Sequence, residues 1–220
     1  MRTALRTLLL SILLLLGVGS SVNAAEFNDS QRKEMEAIIK DYLLANPDLL
    51  REMGQLLEQK EKLAEDQQRR GALVSNADQI FRDGTDFVVG NPNGKVTMVE
   101  FFDYNCGWCK RGFPEVLSLI EEDKDLKFVM KEFPIFGGDS DYAAQAAIAA
   151  NKQGKYWVLH VAMMSHEGKI TKETVDELAA AQGLDMVQLK KDMESAETAG
   201  ILERNRSLAQ SLAINGTPAF

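Results

Sequence analysis

The stretch from Val96 to Lys110, VTMVEFFDYNCGWCK, decides the fold and the chemistry that the sequence predicts. Its first half is rich in β-branched and aromatic residues, which is typical of a buried strand. Cys106 and Cys109, the only cysteines in the chain, come next, and the residues from Lys110 onward have a helical pattern. A Cys-x-x-Cys pair at a helix start suits a dithiol redox site, because backbone N–H groups and the helix dipole favour the thiolate of the first cysteine.

Two other interpretations of this cysteine pair can be weighed on the sequence. Half of a zinc site would need a second cysteine pair or a His-x-x-x-His motif, and the only histidines are His160 and His166. A purely structural disulfide between Cys106 and Cys109 would close so short a loop that it would restrict the unfolded chain very little. We therefore expect a redox-active disulfide between the two cysteines, no metal site and no other cofactor.

The first 24 residues have the pattern of a secretory signal peptide. Arg2 and Arg6 form a positive segment, Leu8 to Leu16 form an apolar segment, and Val22-Asn23-Ala24 fits a small-residue cleavage site. A retained membrane anchor is the alternative, but the apolar segment is short for a bilayer span. We therefore expect an exported, periplasmic protein, in a compartment where disulfides form.

The charge balance excludes one class of partner. The chain contains 33 acidic and 25 basic residues and has a formal net charge of −8. Binding of nucleic acid needs a basic surface that neutralises phosphate groups. We therefore expect no nucleic-acid partner.

The sequence pattern of residues 25–71 predicts a helical region before the main domain. Apolar residues recur every three to four positions from Met35 to Leu43, and Asn46-Pro47-Asp48 interrupts the pattern. A second helix then carries a narrow apolar seam at heptad-like spacing: Leu49, Met53, Leu56 and Leu63. Residues 26–70 either join copies of the chain into a homo-oligomer through this seam, or form an arm that folds on the domain or stays mobile.

The order of the remaining elements predicts an α/β fold. A short strand covers Asp86 to Gly90, and a second central strand runs from Leu126 to Phe133, after the helix of the cysteine pair. A strand, a helix and a strand in this order form a right-handed parallel crossover. From Gly137 to Leu212 the pattern is that of consecutive helices.

Three motifs together resemble the DsbA family of thioredoxin-fold proteins: Glu100 to Cys109, Phe133 to Gly137, and the terminal Gly216 to Phe220. The similarity is greatest to the Com1-like and ScsC-like branch, which has a helical extension before the catalytic domain. The resemblance implies a thioredoxin domain at residues 72–220 with a helical insertion at about 137–212. It also implies further strands and a final helix after the proline. We expect the 220-residue chain to lack them and to be weakly stable and weakly active.

The residues and the resemblance together assign the centre of the site. Cys106 is the expected nucleophile, and Cys109 is the expected resolving thiol, shielded by the helix. Glu100 lies at the position of the buried acid of the thioredoxin fold, where it would accept the proton of Cys109. The alternative is that Glu100 reaches water or pairs with a lysine such as Lys131.

Four further residues are expected to bind substrate or to set the redox poise. Gly107 and Trp108 lie between the cysteines, and Trp108 has no charge where strongly oxidising relatives have a histidine. Its ring either offers apolar surface to unfolded substrates or lies across the helix end. Thr217 and Pro218 resemble the cis-proline loop of the family, which faces the cysteine pair and pairs with an extended peptide. An ordinary trans turn is the alternative for these two residues.

These expectations combine into an exported protein thiol-disulfide oxidoreductase, which forms, reduces or isomerises disulfides in secreted proteins. Its partners would be unfolded or misfolded exported proteins that contain cysteine, and a membrane redox partner. Two alternatives stay open. One is a protein that binds copper, or protects against copper stress, through its two thiolates. The other is a surface interaction protein that uses the thioredoxin fold only as a scaffold.

Overall fold

The computed structural model describes residues 27–220, which fall into two compact units, residues 27–61 and Lys62–Phe220. The signal peptide predicted at residues 1–24 lies outside the described residues. In the described part of the chain, no helix is both long enough and apolar enough to cross a membrane.

Two helices begin the described chain. Helix α1 (Asp29–Ala45) starts with a capping box, in which the side chains of Asn28 and Gln31 each bind the other residue's backbone N–H. Helix α2 (Asp48–Ser75) follows the break at Asn46 and Pro47. Charged and polar residues are frequent in both helices, and neither helix contains a buried residue. The two predicted helices and the break between them are confirmed.

A three-stranded sheet lies in the second unit. Its strands are β1 (Phe87–Gly90), β2 (Val96–Phe102) and β3 (Leu126–Glu132), in the spatial order β1-β3-β2. Strand β3 pairs antiparallel with β1 and parallel with β2. Helix α3 (Ala77–Phe81) precedes the sheet, and helix α4 (Gly107–Glu122) connects β2 to β3. The predicted strand–helix–strand unit and the α/β class are thereby confirmed.

Five helices follow β3, in the range where the helical insertion is predicted. They are α5 (Gly138–Asn151), α6 (Tyr156–Ser165), α7 (Lys172–Ala181), α8 (Met186–Met193) and α9 (Ala196–Ser211). Helix α5 contacts the other four, because alanines occupy most of its buried positions and let its neighbours approach closely. After α9 the chain returns to the sheet, where Ala219 forms a single antiparallel bridge with Phe101.

The two faces of the sheet belong to two apolar clusters. Phe102 and Met130 lie on one face, in the cluster that contains both cysteines. Val99 and Phe101 lie on the other face, in a cluster that also receives residues of α3 and α9. Because successive side chains of a strand point to opposite faces, every second residue of β2 points to the side of the cysteine pair.

Candidate active site

Cys106 is the N-terminal cap of helix α4. Its backbone is extended, and its sulfur accepts a hydrogen bond from the backbone N–H of Cys109 at 3.1 Å. An acceptor at this position binds one of the free N–H groups of the first turn, and the helix dipole favours negative charge at the same end. The position therefore suits a nucleophilic thiolate.

The backbone of Thr217 lies against the same sulfur. The S–H group of Cys106 donates to the carbonyl oxygen of Thr217 at 3.3 Å. The Thr217–Pro218 peptide bond is cis, and the next residue, Ala219, exchanges two backbone hydrogen bonds with Phe101 at 2.9 and 3.1 Å. The proline loop is thus attached to the strand that leads into the cysteine pair, and it faces Cys106 as the resemblance implies.

Cys109 lies in the first turn of α4 and, like Cys106, exposes 2% of its surface. Burial raises the pKa of the Cys109 thiol well above its usual range, and the hydrogen bond with Cys106 adds to the rise. Both cysteines are free thiols in the structure. A thiol that resists deprotonation in this way can resolve a mixed disulfide quickly only if a base takes its proton.

Glu100 is an acid on the correct face of the sheet to be this base. Glu100 is two residues from both Met98 and Phe102 in β2, so the three side chains point to the same face of the sheet. This is the face that packs with the two cysteines. The residue is 4% exposed, and this burial raises the pKa of its carboxyl to about 7. A carboxyl with this pKa can bind and release a proton near neutral pH.

Lys131 does not pair with Glu100. In the parallel register Lys131 lies opposite Phe101, the neighbour of Glu100 in β2, so the two charged side chains point to opposite faces of the sheet. Lys131 instead forms a buried ion pair with Asp86. The lysine pairing considered for Glu100 is therefore wrong.

Gly107 and Trp108 lie at the outer surface of the site. Trp108 is 67% exposed, and the guanidinium group of Arg111 lies over its ring at 4.5 Å from the ring centroid. A β-carbon at Gly107 would meet no atom within 4 Å, so the space beside the Gly107 backbone is open. Trp108 thus presents apolar surface beside the cysteine pair.

Asp103 holds the loop before Cys106 in place, and the sequence prediction assigned no role to it. Its buried carboxylate accepts hydrogen bonds from the N–H of Asn105, the hydroxyl of Ser140 and the N–H of Ile135, each at 2.7 Å. The loop of the cysteine pair is thereby joined to the segment after β3 and to the start of α5. In the sequence, the only sign of this role is the position of Asp103 between a strand and the Cys-x-x-Cys pair. That position does not indicate that Asp103 binds Ile135 and Ser140.

Asn105 and Lys110, on either side of the cysteine pair, bind the segment between α6 and α7. The side chain of Asn105 exchanges two hydrogen bonds with the backbone of Ile170, at 2.8 and 3.0 Å. The ammonium group of Lys110 donates to the carbonyl oxygens of His166 at 2.7 Å and Gly168 at 2.9 Å. The helical insertion therefore holds both ends of the active-site turn.

A buried polar network begins at Tyr104, two residues before Cys106. The hydroxyl groups of Tyr104 and Tyr156 donate to the same carboxyl oxygen of Glu132 at 2.8 and 2.6 Å, and the Tyr104 oxygen is 3.0 Å from Nδ1 of His160. Burial raises the pKa of Glu132 to about 8 and lowers the pKa of His160 to about 3. Near neutral pH, His160 is therefore an uncharged packing residue and Glu132 is mostly protonated.

Comparison with known protein families shows to which family this chain belongs. A family model described as the DSBA-like thioredoxin domain matches residues 97–220, which are more than half of the chain and include Glu100, both cysteines and Pro218. The chain belongs to the DsbA-like thioredoxin family. A second model, described as the N-terminal domain of the copper resistance protein ScsC, matches residues 31–64. The predicted thioredoxin fold and the resemblance to the ScsC-like branch of the DsbA family are confirmed.

Two solved structures show the same likeness. The thioredoxin-like oxidoreductase from Silicibacter pomeroyi DSS-3 is 46% identical, with a TM-score of 0.63, over 64% of this chain and 82% of that one. Proteus mirabilis ScsC in a transitional conformation is 28% identical, with a TM-score of 0.63, over 88% of this chain and 87% of that one.

The curated relatives differ in how much of their own length this chain covers. The probable disulfide bond formation protein D of Bacillus cereus is 29% identical over 154 residues, or 64% of this chain and 71% of that protein. The Na⁺/H⁺ antiporter NhaA 3 of Salinispora tropica is 26% identical over 137 residues, or 61% of this chain. This match spans about a fifth, 21%, of the antiporter, so the likeness is to one portion of a longer protein.

Proposed function

We propose that this protein is a thiol-disulfide oxidoreductase that exchanges disulfides with cysteine-containing proteins in the periplasm. The observation that carries the proposal is the position of Cys106, whose sulfur contacts the N–H of Cys109 and the carbonyl oxygen of Thr217. One thiol thus lies at a helix start and beside a backbone segment that can pair with an extended peptide. The DsbA-like family model and the relative named for disulfide bond formation support the same activity.

Reduction of a substrate would take two steps. The thiolate of Cys106 attacks one sulfur of the substrate disulfide, a bond forms between Cys106 and that sulfur, and the other substrate sulfur leaves as a thiolate. Cys109 then passes its proton to Glu100 and attacks the sulfur of Cys106. The Cys106–Cys109 disulfide forms, and the substrate leaves with two thiols. Two electrons have passed to the substrate, and the reverse sequence oxidises a substrate dithiol.

The other predicted site residues have roles in substrate binding in this scheme. The backbone at Thr217 and Pro218 would add the substrate peptide as an extended strand. Trp108 would offer its exposed ring to apolar side chains of an unfolded substrate, and Gly107 would leave the approach to Cys106 open. The uncharged Trp108 also bears on the redox poise, because it adds no cation beside the thiolate.

The location and the partners are proposed from the sequence. The signal-peptide pattern of residues 1–24 supports export. The substrates would be unfolded or misfolded exported proteins, and a membrane redox partner would restore the starting redox state of the cysteine pair. The periplasm is an oxidising compartment in which such exchange is needed.

We also propose that residues 26–70 join several copies of the chain. Three of the four seam residues, Met53, Leu56 and Leu63, are 60%, 58% and 64% exposed, so a single chain leaves most of this seam open to water. Burial of such a seam against identical helices is what stabilises a coiled coil. An oligomer would place several dithiols around one substrate, which suits isomerisation or reduction, whereas a monomer would suit oxidation.

Reduction of insulin by glutathione, catalysed by the full-length protein, tests the activity. We expect no catalysis by Cys106→Ser, because the nucleophile is lost. Cys109→Ser is the matched control, since it retains the nucleophile and should accumulate a mixed disulfide that non-reducing electrophoresis detects. Catalysis by Cys106→Ser at the wild-type rate would refute the proposal, and a surface scaffold without enzymatic activity would show no catalysis in any form.

Copper binding is the second candidate, because residues 31–64 match a domain named for copper resistance and the chain has two adjacent thiols. Thiolates are preferred ligands of Cu(I). Among residues 27–220, however, no group of three or more His, Cys, Asp and Glu side chains is placed to hold a metal ion. Tight Cu(I) binding that Cys109→Ser abolishes, in a protein that does not catalyse insulin reduction, would favour this candidate.

A further inference from the structure

A groove of about 1220 Å³ begins beside Cys106. Its lining includes Asn105 and Gly107, the two sequence neighbours of Cys106, together with residues of α4 and of the segment between α6 and α7. Small-molecule pockets usually have volumes of about 300–1,000 Å³. The groove is therefore large enough for a segment of a polypeptide, and it lies next to the nucleophile.

The charge of the groove is opposite to that of the whole chain. Its lining contains three cationic side chains, Lys110, Arg111 and Lys169, and one anionic side chain, Glu167. The complete chain has a formal net charge of −8. A concave surface with an excess of one charge concentrates the electrostatic potential and attracts groups of the opposite sign.

The ammonium group of Lys110 is fixed by uncharged groups. It donates to the carbonyl oxygens of His166 and Gly168 at 2.7 and 2.9 Å, and no carboxylate of residues 27–220 lies within 4.0 Å of it. The carbonyl oxygens hold the ammonium in position without neutralising it. Because the side chain is half-buried, salt screens its charge less than that of a fully exposed lysine.

The other two cations differ in their partners. Arg111 lies over the ring of Trp108, at 4.5 Å, and has no carboxylate partner in the part of the chain that the structure describes. Lys169 forms an ion pair with Asp139 at 2.7 Å. Two of the three cations of the groove are thus available to an anionic ligand.

We propose that this groove binds acidic residues of the substrate polypeptide, a few positions away from the cysteine that reacts with Cys106. The proposal rests on the proposed function and defines its substrate class as proteins whose reactive cysteines are flanked by Asp or Glu. An extended peptide advances about 3.3 Å per residue, so side chains about two to four positions away reach the first turns of α4. Phe136, which is 56% exposed in the same groove, gives apolar contact to the segment.

Two disulfide-containing peptides test this proposal. They differ only in the residues that flank the reactive cysteine, two Asp in one peptide and two Lys in the other. The second-order rate constant for their reduction by the reduced full-length protein is measured by stopped flow. We expect the acidic peptide to react about 10-fold faster at low ionic strength, and the difference to decrease as salt is added.

Charge-reversal variants assign the preference to the groove. Arg111→Glu should reduce the ratio of the two rate constants, and the double variant Arg111→Glu/Lys169→Glu should make the Lys peptide the faster one. Lys95→Glu is the matched control, because Lys95 is exposed and lies outside the groove, and it should leave the ratio unchanged. Lys110 is retained because it binds the segment between α6 and α7.

Equal rate constants for the two wild-type reactions would overturn the proposal, and so would a ratio that Arg111→Glu does not change. A ratio that depends on protein concentration would mean that an acidic segment of a second copy occupies the groove, and the proposal would be wrong. If glutathione reduces both peptides and the wild-type protein reduces neither, the proposed function fails, and the substrate class fails with it. Reduction of both peptides at equal rates overturns the substrate class alone.

Discussion

The carboxylate of Asp103 and the hydroxyl of Ser140 lie 2.7 Å apart in the interior of the protein and join the active-site loop to the helical insertion. The same carboxylate accepts hydrogen bonds from the backbone N–H groups of Asn105, Ile135 and Phe136, at 2.7, 2.7 and 3.2 Å. A carboxylate only accepts hydrogen bonds, so it can satisfy all four donors at once. The position of the loop before Cys106 therefore depends on one buried acid.

Asp103→Asn should weaken both the fold and the activity. The amide NH₂ group of Asn would face hydrogen-bond donors, so we expect the free energy of unfolding to fall by about 2–3 kcal/mol in urea titrations. Displacement of the loop should lower kcat/KM for insulin reduction by about 10-fold or more. Ser140→Ala is the control, because it removes the hydroxyl that donates to Asp103 and accepts from Asn105 but leaves the carboxylate and its three backbone donors in place. It should cost only about 1–2 kcal/mol. Equal losses for the two variants would contradict the role of Asp103.

Glu100→Gln should change the pH dependence of the resolving step. Because the pKa of Glu100 is about 7, the carboxylate becomes available to the Cys109 thiol as the pH rises through neutrality. We therefore expect the wild-type rate of mixed-disulfide resolution to increase across this range. The variant should lose this increase and resolve the mixed disulfide up to about 100-fold more slowly above it.

Quenched-flow measurement of the lifetime of a Cys106–peptide mixed disulfide at several pH values checks this. The rate at which Cys106 first attacks the peptide is the internal control, since Glu100 takes no part in that step. Identical pH profiles of the resolution rate in wild type and variant would show that Glu100 is not the base.

Glu132→Gln should flatten the dependence of stability on pH. The pKa of Glu132 is about 8 in the folded protein and has its ordinary value of 4.5 when unfolded, so between these values the folded protein binds more protons. The contribution of Glu132 to the unfolding free energy is therefore full below about pH 4.5 and is lost as the pH rises through about 8. From about pH 6.5 to about pH 8.5, we expect the unfolding free energy of the wild type to fall by about 2 kcal/mol through this group.

This pH window separates Glu132 from the histidine of the same network. The pKa of His160 falls from 6.5 to about 3 on folding. Through His160, the unfolding free energy therefore decreases only as the pH drops below about 6.5. Urea titrations at both ends of the window, on wild type and Glu132→Gln, measure the difference. A wild-type slope that the variant retains would assign the pH dependence to other groups.

Local pattern was sufficient to predict the elements that carry the site. Three features depend only on neighbouring residues: the apolar run before Cys106, the helix after it, and the position of Glu100 on the same strand face as Phe102. All of them are found in the structure. The Thr217 contact with Cys106 came from the family resemblance, since 111 residues separate the two. Such a separation is beyond any periodic signal.

The polar partners inside the fold could not be predicted in this way. Asp103 and Ser140 are 37 residues apart, and Lys131 and Asp86 are 45 residues apart. The first pair depends on how the helical insertion packs on the sheet, and the second on how β1 pairs with β3. The sequence shows only that charged residues occur in apolar surroundings. Which of them meet is decided by tertiary structure, so the sequence alone does not distinguish a Glu100–Lys131 pair from the Lys131–Asp86 pair that forms.

Leu56→Asp should separate the copies of the chain if the seam in α2 joins them. Leu56 is 58% exposed in the single chain, so the substitution removes little apolar burial within it, whereas a charge in the core of a coiled coil opposes pairing. We expect the wild type to have a multiple of the monomer mass in light scattering and Leu56→Asp to have the monomer mass. Gln55→Asp adds the same charge at the neighbouring position outside the seam and should leave the mass unchanged. A monomeric wild type, or a mass that responds equally to both substitutions, would show that this seam does not assemble the protein.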